Sequence, residues 1–240
     1  LADEARLATC STRQRRKAKI KLALVATAAN KIEAKPLDAV SVREICESIS
    51  LPESSFYHYF TKKSDLLSYC VQLWNLEIQL RAAHAVNKRN GLARISGYFE
   101  QVARHVQGRP SLTGEIIAYM AKLRDGDQPP SISRLERQIA FPEFPDIEDY
   151  EPTPIEELLI RHVRWAVDNG ELPRHTHVDS LASSLATLFF GAPVAHRSKR
   201  ASIEKTYRRQ LSLQWLGARG SNVGGVKPAQ PASSLHHRWS

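Results

Sequence analysis

No glycine occurs before Gly91, and only Pro36 and Pro52 interrupt the first hundred residues. In this unbroken front section Ile20, Leu24, Ala28 and Ile32 recur every four residues. A chain built this way folds as helices separated at the two prolines. Strand-type alternation of β-branched residues never lasts more than a few positions. The punctuation then changes: six prolines fall between Pro129 and Pro154, and four glycines between Gly217 and Gly225. The expected order is a helical front, a helical middle, one long irregular loop, more helix and a disordered tail.

The first helix is expected over 17–34, stopped by Pro36. Ser41-Val42-Arg43-Glu44 is a capping-box pattern and opens a short helix over 42–48. Pro52 suits the first position of another short helix, 52–59. Thr61 is expected to cap a long helix over 62–83. Two more helices are expected at 92–106 and 112–124. Residues 125–152 are acidic and proline-rich and read as loop, with one helical turn over 132–139. Thr153-Pro154-Ile155-Glu156 is a second capping box, and Gly170 is a natural stop for the helix it opens. A helix of almost entirely apolar or small residues follows over 179–192. Ser202 is expected to cap a last one carrying Ile203, Tyr207, Leu211 and Trp215.

The charge is distributed unevenly. Residues 1–90 carry a net charge of +6, residues 91–195 carry −5, and residues 196–240 carry +8. Such a basic front suggests a polyanionic partner at one end of the molecule. The best apolar run, 181–195, is short for the roughly 18–20 residues of a membrane span and holds two serines. The amino end has no signal-peptide pattern. Cys10, Cys46 and Cys70 lack metal-site spacing, and a reduced cytoplasmic protein is expected. His175-x-His177 and His236-His237 read as solvated loop, so no metal and no cofactor are expected. There is no G-x-S-x-G elbow, no phosphate-cradling glycine loop and no H-E-x-x-H, so the chain does not read as an enzyme.

Two short helices joined by a three-residue turn, with longer helices on either side, make a helix-turn-helix. The second short helix of such a motif enters the DNA major groove while the first crosses the backbone. Glu53, Ser54, Ser55, Tyr57, His58 and Tyr59 offer donors, acceptors and stacking faces for that groove. Phe56 and Phe60, with Ile45 and Ile49, would anchor the helix from below. Arg43, Lys62 and Lys63 are placed for phosphates.

The segments Ser41-Val42-Arg43-Glu44-Ile45, Phe56-Tyr57-His58-Tyr59-Phe60 and Lys63-Ser64-Asp65-Leu66-Leu67 resemble the amino-terminal domain of the TetR family of bacterial transcription regulators. The chain departs from the family pattern at Pro36 and Leu37, at Ser50 where glycine is common, and at Pro52-Glu53-Ser54. The resemblance implies a three-helix helix-turn-helix domain joined by a long helix to a helical ligand-binding and dimerisation domain, all-α throughout. It also implies a homodimer on a palindromic double-stranded operator. Ser41, Arg43, Tyr57, Tyr59 and Lys63 match positions that contact DNA in the family.

The expected division is a flexible basic arm over 1–16, the DNA-binding domain over 17–77, the effector and dimerisation domain over 78–216, and the disordered tail over 217–240. Trp74, Tyr119, Met120 and Trp165 are candidate walls of an effector pocket, with 125–152 as a mobile cover. Leu181, Leu185, Leu188 and Phe189 are candidates for the dimer interface. The expected function is repression relieved by a small molecule. The alternative is an effector-independent DNA-binding or architectural protein of the same fold.

Overall fold

A computed structural model describes residues 11–85, 90–123, 131–144, 147, 150, 152–196 and 202–220. Helix α1 (Thr12–Ile32) begins five residues earlier than expected, inside the segment read as a flexible arm. The cause is a capping box overlooked in the sequence. Ser11 Oγ accepts from the Gln14 amide, and the Gln14 side chain accepts from the Ser11 amide. Residues 1–10 of that arm lie outside the described residues.

After a single 3-10 turn at Leu37–Ala39 comes α2 (Val42–Glu47), opened by the expected Ser41–Glu44 box. The Lys35 ammonium donates to Glu44 at 2.8 Å and, with the Ser41 amide, holds the carboxyl down at about 2. The second short helix, Glu53–His58, is 3-10 in type and preceded by Pro52. Helix α3 (Asp65–Ala85) starts three residues later than expected, and its Asp65 carboxylate accepts from the Lys62 amide at 3.0 Å.

Six further helices follow. They are α4 (Gly91–Gly108), α5 (Pro110–Met120), α6 (Arg134–Ala140), α7 (Ile155–Asp168), α8 (Val178–His196) and α9 (Ile203–Gly220). No strand occurs among the described residues. Two main cores share α3 as a common axis. One gathers α1, α2, the 3-10 helix and the start of α3, together with Leu112, Ile116 and Ile132 from the second half of the chain. The other packs the end of α3 with α4, α7, α8 and α9. Gly91 sits where backbones nearly touch, since a Cβ there would meet the His162 carbonyl oxygen at 2.5 Å. Gly170 closes α7 in the left-handed conformation, at φ 73°.

The proline-rich stretch is no mobile cover where it is described: α6 has its own Ser133–Glu136 capping box, and Phe141, Phe144 and Ile147 bury against Leu76 and Leu80. Residues 124–130, 145–146, 148–149 and 151 of that stretch lie outside the described residues. Thr153 does not cap α7. Its backbone is held by the buried Gln79 side chain, which donates to the Thr153 carbonyl at 2.7 Å and accepts from its amide at 3.2 Å. Helix α9 runs to Gly220, past the expected start of the tail; residues 221–240 lie outside the described residues. Residues 178–195 of α8 are long and apolar enough to cross a membrane by length and composition, although the sequence reading found no such run. In the fold α8 lies against α7 and α9.

Leu181, Leu185 and Phe189, expected to face a partner, are buried in the subunit's own core, and Leu188 is half-buried against it. The apolar composition of α8 hid which of its faces turns inward. Phe189 stacks edge-on against Phe99 of α4, and its carbonyl accepts from the Tyr207 hydroxyl at 2.9 Å.

Candidate nucleic-acid interface and the adjoining cavity

The turn between α2 and the 3-10 helix is closed by two backbone bonds, from the Leu51 amide to the Cys46 carbonyl and from the Ser50 amide to the Glu47 carbonyl. Closing it requires Ser50 at φ 53°, the left-handed region that glycine adopts freely and serine does not. Phe56 and Phe60 are fully buried beneath the 3-10 helix together with Ile45 and Cys46. Phe56 lies 5.7 Å from Phe60, which in turn stands edge-on to Tyr69.

With its aromatic base fixed, the helix turns its polar residues outward. Tyr57 is 58% exposed and braced edge-on by Phe56. Glu53, Ser54 and His58 are exposed, whereas Ser55 and Tyr59 are half-buried and Tyr59 packs against the core. The free tips are hydroxyls, a carboxylate and an imidazole, the groups that read base edges in a major groove. Arg43 is exposed and pairs with Glu47 one turn on, at 2.7 Å. Lys62 is exposed. Ser41 has its oxygen occupied as the α2 cap.

Lys63 is placed differently from expectation. Its ammonium donates to the carbonyls of Leu37, Asp38 and Val40 at 2.8, 3.2 and 2.9 Å. All three donors are thereby used inside the domain, stitching the 3-10 turn to the start of α3. The early start of α1 brings the exposed Arg13 and Arg16 out of the segment expected as a flexible arm and onto the same helix as the exposed Lys17 and Lys19.

Residues 24–70 match the bacterial regulatory proteins of the tetR family. This domain belongs to the TetR family. It is a helix-turn-helix, and its work is DNA binding in transcription regulation. A comparison with curated proteins gives no match. Among solved structures, a TetR transcription regulator from Haloarcula marismortui is similar at 14% identity and a TM-score of 0.59, covering 82% of this chain and 97% of its own. The ketosteroid transcriptional regulator KstR2 of Mycobacterium tuberculosis aligns at 15% identity and a TM-score of 0.52, over 83% of this chain and 94% of its own. AibR in complex with isovaleryl coenzyme A and operator DNA aligns at 16% identity and 0.54, over 81% and 97%. At these identities the likeness establishes the shared fold across most of the chain.

The TetR domain is tied to the helices beyond it at two points of α1. Near its end, the Glu33 carboxylate accepts from the Ser111 and Leu112 amides at 3.2 and 3.0 Å and so caps α5. Near its middle, Lys21 pairs with Glu136 of α6. Between these ties lies a cavity of about 490 Å³. Leu22 and Ala26 of α1 form one wall, Leu73 and Trp74 of α3 another, and Ile116 of α5 and Ile139 of α6 complete it.

Of the expected pocket residues only Trp74 lines this cavity. Tyr119 and Met120 are half-buried against the DNA-binding core. Trp165 lies elsewhere, on α7, where it borders a shallow groove under the Arg94 guanidinium. The sequence reading missed the α1 wall because nothing in a helix pattern shows that the DNA-binding domain itself forms one side of the cavity. Glu77 at the cavity edge is held at about 2 by the His105 imidazole, 3.3 Å away, and by Arg81. Burial pushes the Cys70 thiol in the wall up to about 12, against the pull of the Arg109 charge.

Proposed function

We propose that this chain is a homodimeric transcriptional repressor that binds a palindromic operator and is released by a small molecule. The observation that carries the reading is the double duty of α1. This helix packs under the helix-turn-helix and also walls the cavity, so a ligand there acts on the DNA-binding domain without an intermediary. A ligand releases DNA only if it favours a non-binding arrangement, and coupling of about 1–3 kcal/mol gives roughly 5–150-fold. The ligand and operator in the AibR structure support the same pairing of functions.

Tyr57, Ser54 and His58 read bases, while Arg43 and Lys62 hold phosphates, joined by Arg13, Arg16, Lys17 and Lys19. Helix α8 supports the dimer. Only a third of its apolar 18-residue stretch is buried in the chain, and Val194 is 54% exposed. Ser183, Thr187, Gly191 and Val194 recur on one face, and their small size lets a twofold-related helix approach closely. Leu188 lies beside that face.

The test is to select duplexes from a random pool with the full chain. The expected result is a palindrome whose half-sites lie about 34–36 Å apart or a multiple of that. Sedimentation should give a dimer, and Val194→Glu should give helical monomers with weakened operator binding. Selection of duplexes without sequence preference would favour the architectural alternative.

A further inference from the structure

The geometry points to an amphipathic monocarboxylate as the occupant of the α1–α3 cavity, its apolar body between the helices and its carboxylate on Arg109. This deepens the regulator reading above and rests on it only for the consequence to DNA. The volume, about 490 Å³, falls in the roughly 300–1,000 Å³ range of small-molecule sites. Leucine, isoleucine and alanine side chains dominate the walls, which suits a hydrocarbon body.

The polar groups of the wall are unequal in what they leave available. Glu77 is engaged by both His105 and Arg81, and the Thr113 hydroxyl donates to the Arg109 carbonyl. Arg109 lines the cavity and is exposed, which places it at the open end. Among the described residues no hydrogen bond or ion pair engages its guanidinium. The second unspent donor is the Trp74 indole N–H, which is buried without an acceptor. A buried donor left unpaired is costly, and a ligand that supplies an acceptor recovers that cost. These two unengaged donors favour an anionic, acceptor-bearing head. A guanidinium meets a carboxylate with two parallel hydrogen bonds, so a carboxylic acid fits better than an alcohol or an amine.

The experiment uses decanoate and decan-1-ol as probes on the full chain without DNA, read by calorimetry and by tryptophan fluorescence. Decanoate should bind once per chain, at least about tenfold more tightly than the alcohol. Arg109→Gln should abolish that preference while circular dichroism stays unchanged. Ala26→Phe adds a ring to the cavity wall from an exposed position on α1 and should weaken both probes. Equal affinity of Arg109→Gln and wild type for decanoate overturns the assignment, as does a lack of saturable binding at millimolar decanoate. A chain that binds decanoate but no duplex keeps this assignment and overturns the regulator reading. A chain that binds duplex but no decanoate does the reverse.

Discussion

Lys21 of α1 and Glu136 of α6 meet at 3.1 Å across the boundary between the TetR domain and the helices beyond it, and both side chains are nearly covered, at 13% and 8% exposure. The Lys21 ammonium also lies 4.3 Å from the Tyr69 ring centre. Burial alone would push the Glu136 carboxyl up. The Ser133 amide, Tyr69 and Lys21 outweigh it, and the net shift is downward. Lys21→Ala leaves this carboxylate buried with its counter-charge gone. The expected cost is about 3 kcal/mol in urea unfolding, with much of it recovered in Lys21→Met/Glu136→Leu. A single-mutant loss below about 0.5 kcal/mol would mean that the pair behaves as a surface one.

Lys63→Ala removes three bonds to backbone carbonyls and should lower stability by about 1–3 kcal/mol. Its effect on DNA should be small. Arg43→Ala and Lys62→Ala, by contrast, should each flatten the dependence of log affinity on log salt by about 0.9, without loss of stability. A salt slope unchanged in the Arg43→Ala/Lys62→Ala double variant would remove these residues from the phosphate contacts.

Ser50 holds a left-handed backbone that costs a non-glycine residue about 1 kcal/mol. Ser50→Gly should leave the midpoint of thermal unfolding unchanged or raise it. Ser50→Val, β-branched, should lower stability by a further 1 kcal/mol or about that. If valine were tolerated as well as glycine, the turn would not depend on this geometry.

His162 is 6% exposed and its Nε2 lies 2.9 Å from the Tyr98 hydroxyl. Burial, with the Arg94 and Arg161 charges, depresses its pKa from 6.5 to about 4. The unfolded chain therefore takes up a proton as pH falls below 6.5, and the folded chain does not until about 4. Stability from this group is complete above pH 6.5 and declines by up to roughly 1.4 kcal/mol per unit toward pH 4. Chemical unfolding at pH 7, 6 and 5 should show the loss, above the range where Glu77 titrates. His162→Asn should be less stable at pH 7 and flatter in its response. An equally steep response in that variant would place the effect elsewhere.

The sequence made some of this visible and hid the rest for identifiable reasons. The Ser41–Glu44 box and the Phe56 and Phe60 anchors are local patterns three or four residues apart, and each forms as expected. The partners of Lys63 lie 23 to 26 positions away, and a basic residue at a helix start looks the same whether it faces phosphate or carbonyls. On α8 most positions are apolar or small, so periodicity could not tell Leu185, fully buried, from Val194, exposed. Proline density masked α6, although Ser133 and Glu136 carried the same capping signal used elsewhere. Trp74 lies in the cavity wall, and the opposite wall, α1, brings to it residues about fifty positions away in the sequence.

The Glu33 cap bears on how freely this protein's parts can be exchanged. A carboxylate from the DNA-reading half closes the first turn of a helix in the other half, so that helix is not self-sufficient at its start. A hybrid that joined residues 11–77 to a foreign carboxy-terminal half would leave Glu33 with no amides to cap. The reciprocal hybrid would leave α5 frayed and the cavity open on one side. Modularity ends at this seam, and a swap of operator specificity is better made by changing Ser54, Tyr57 and His58 in place than by grafting whole domains.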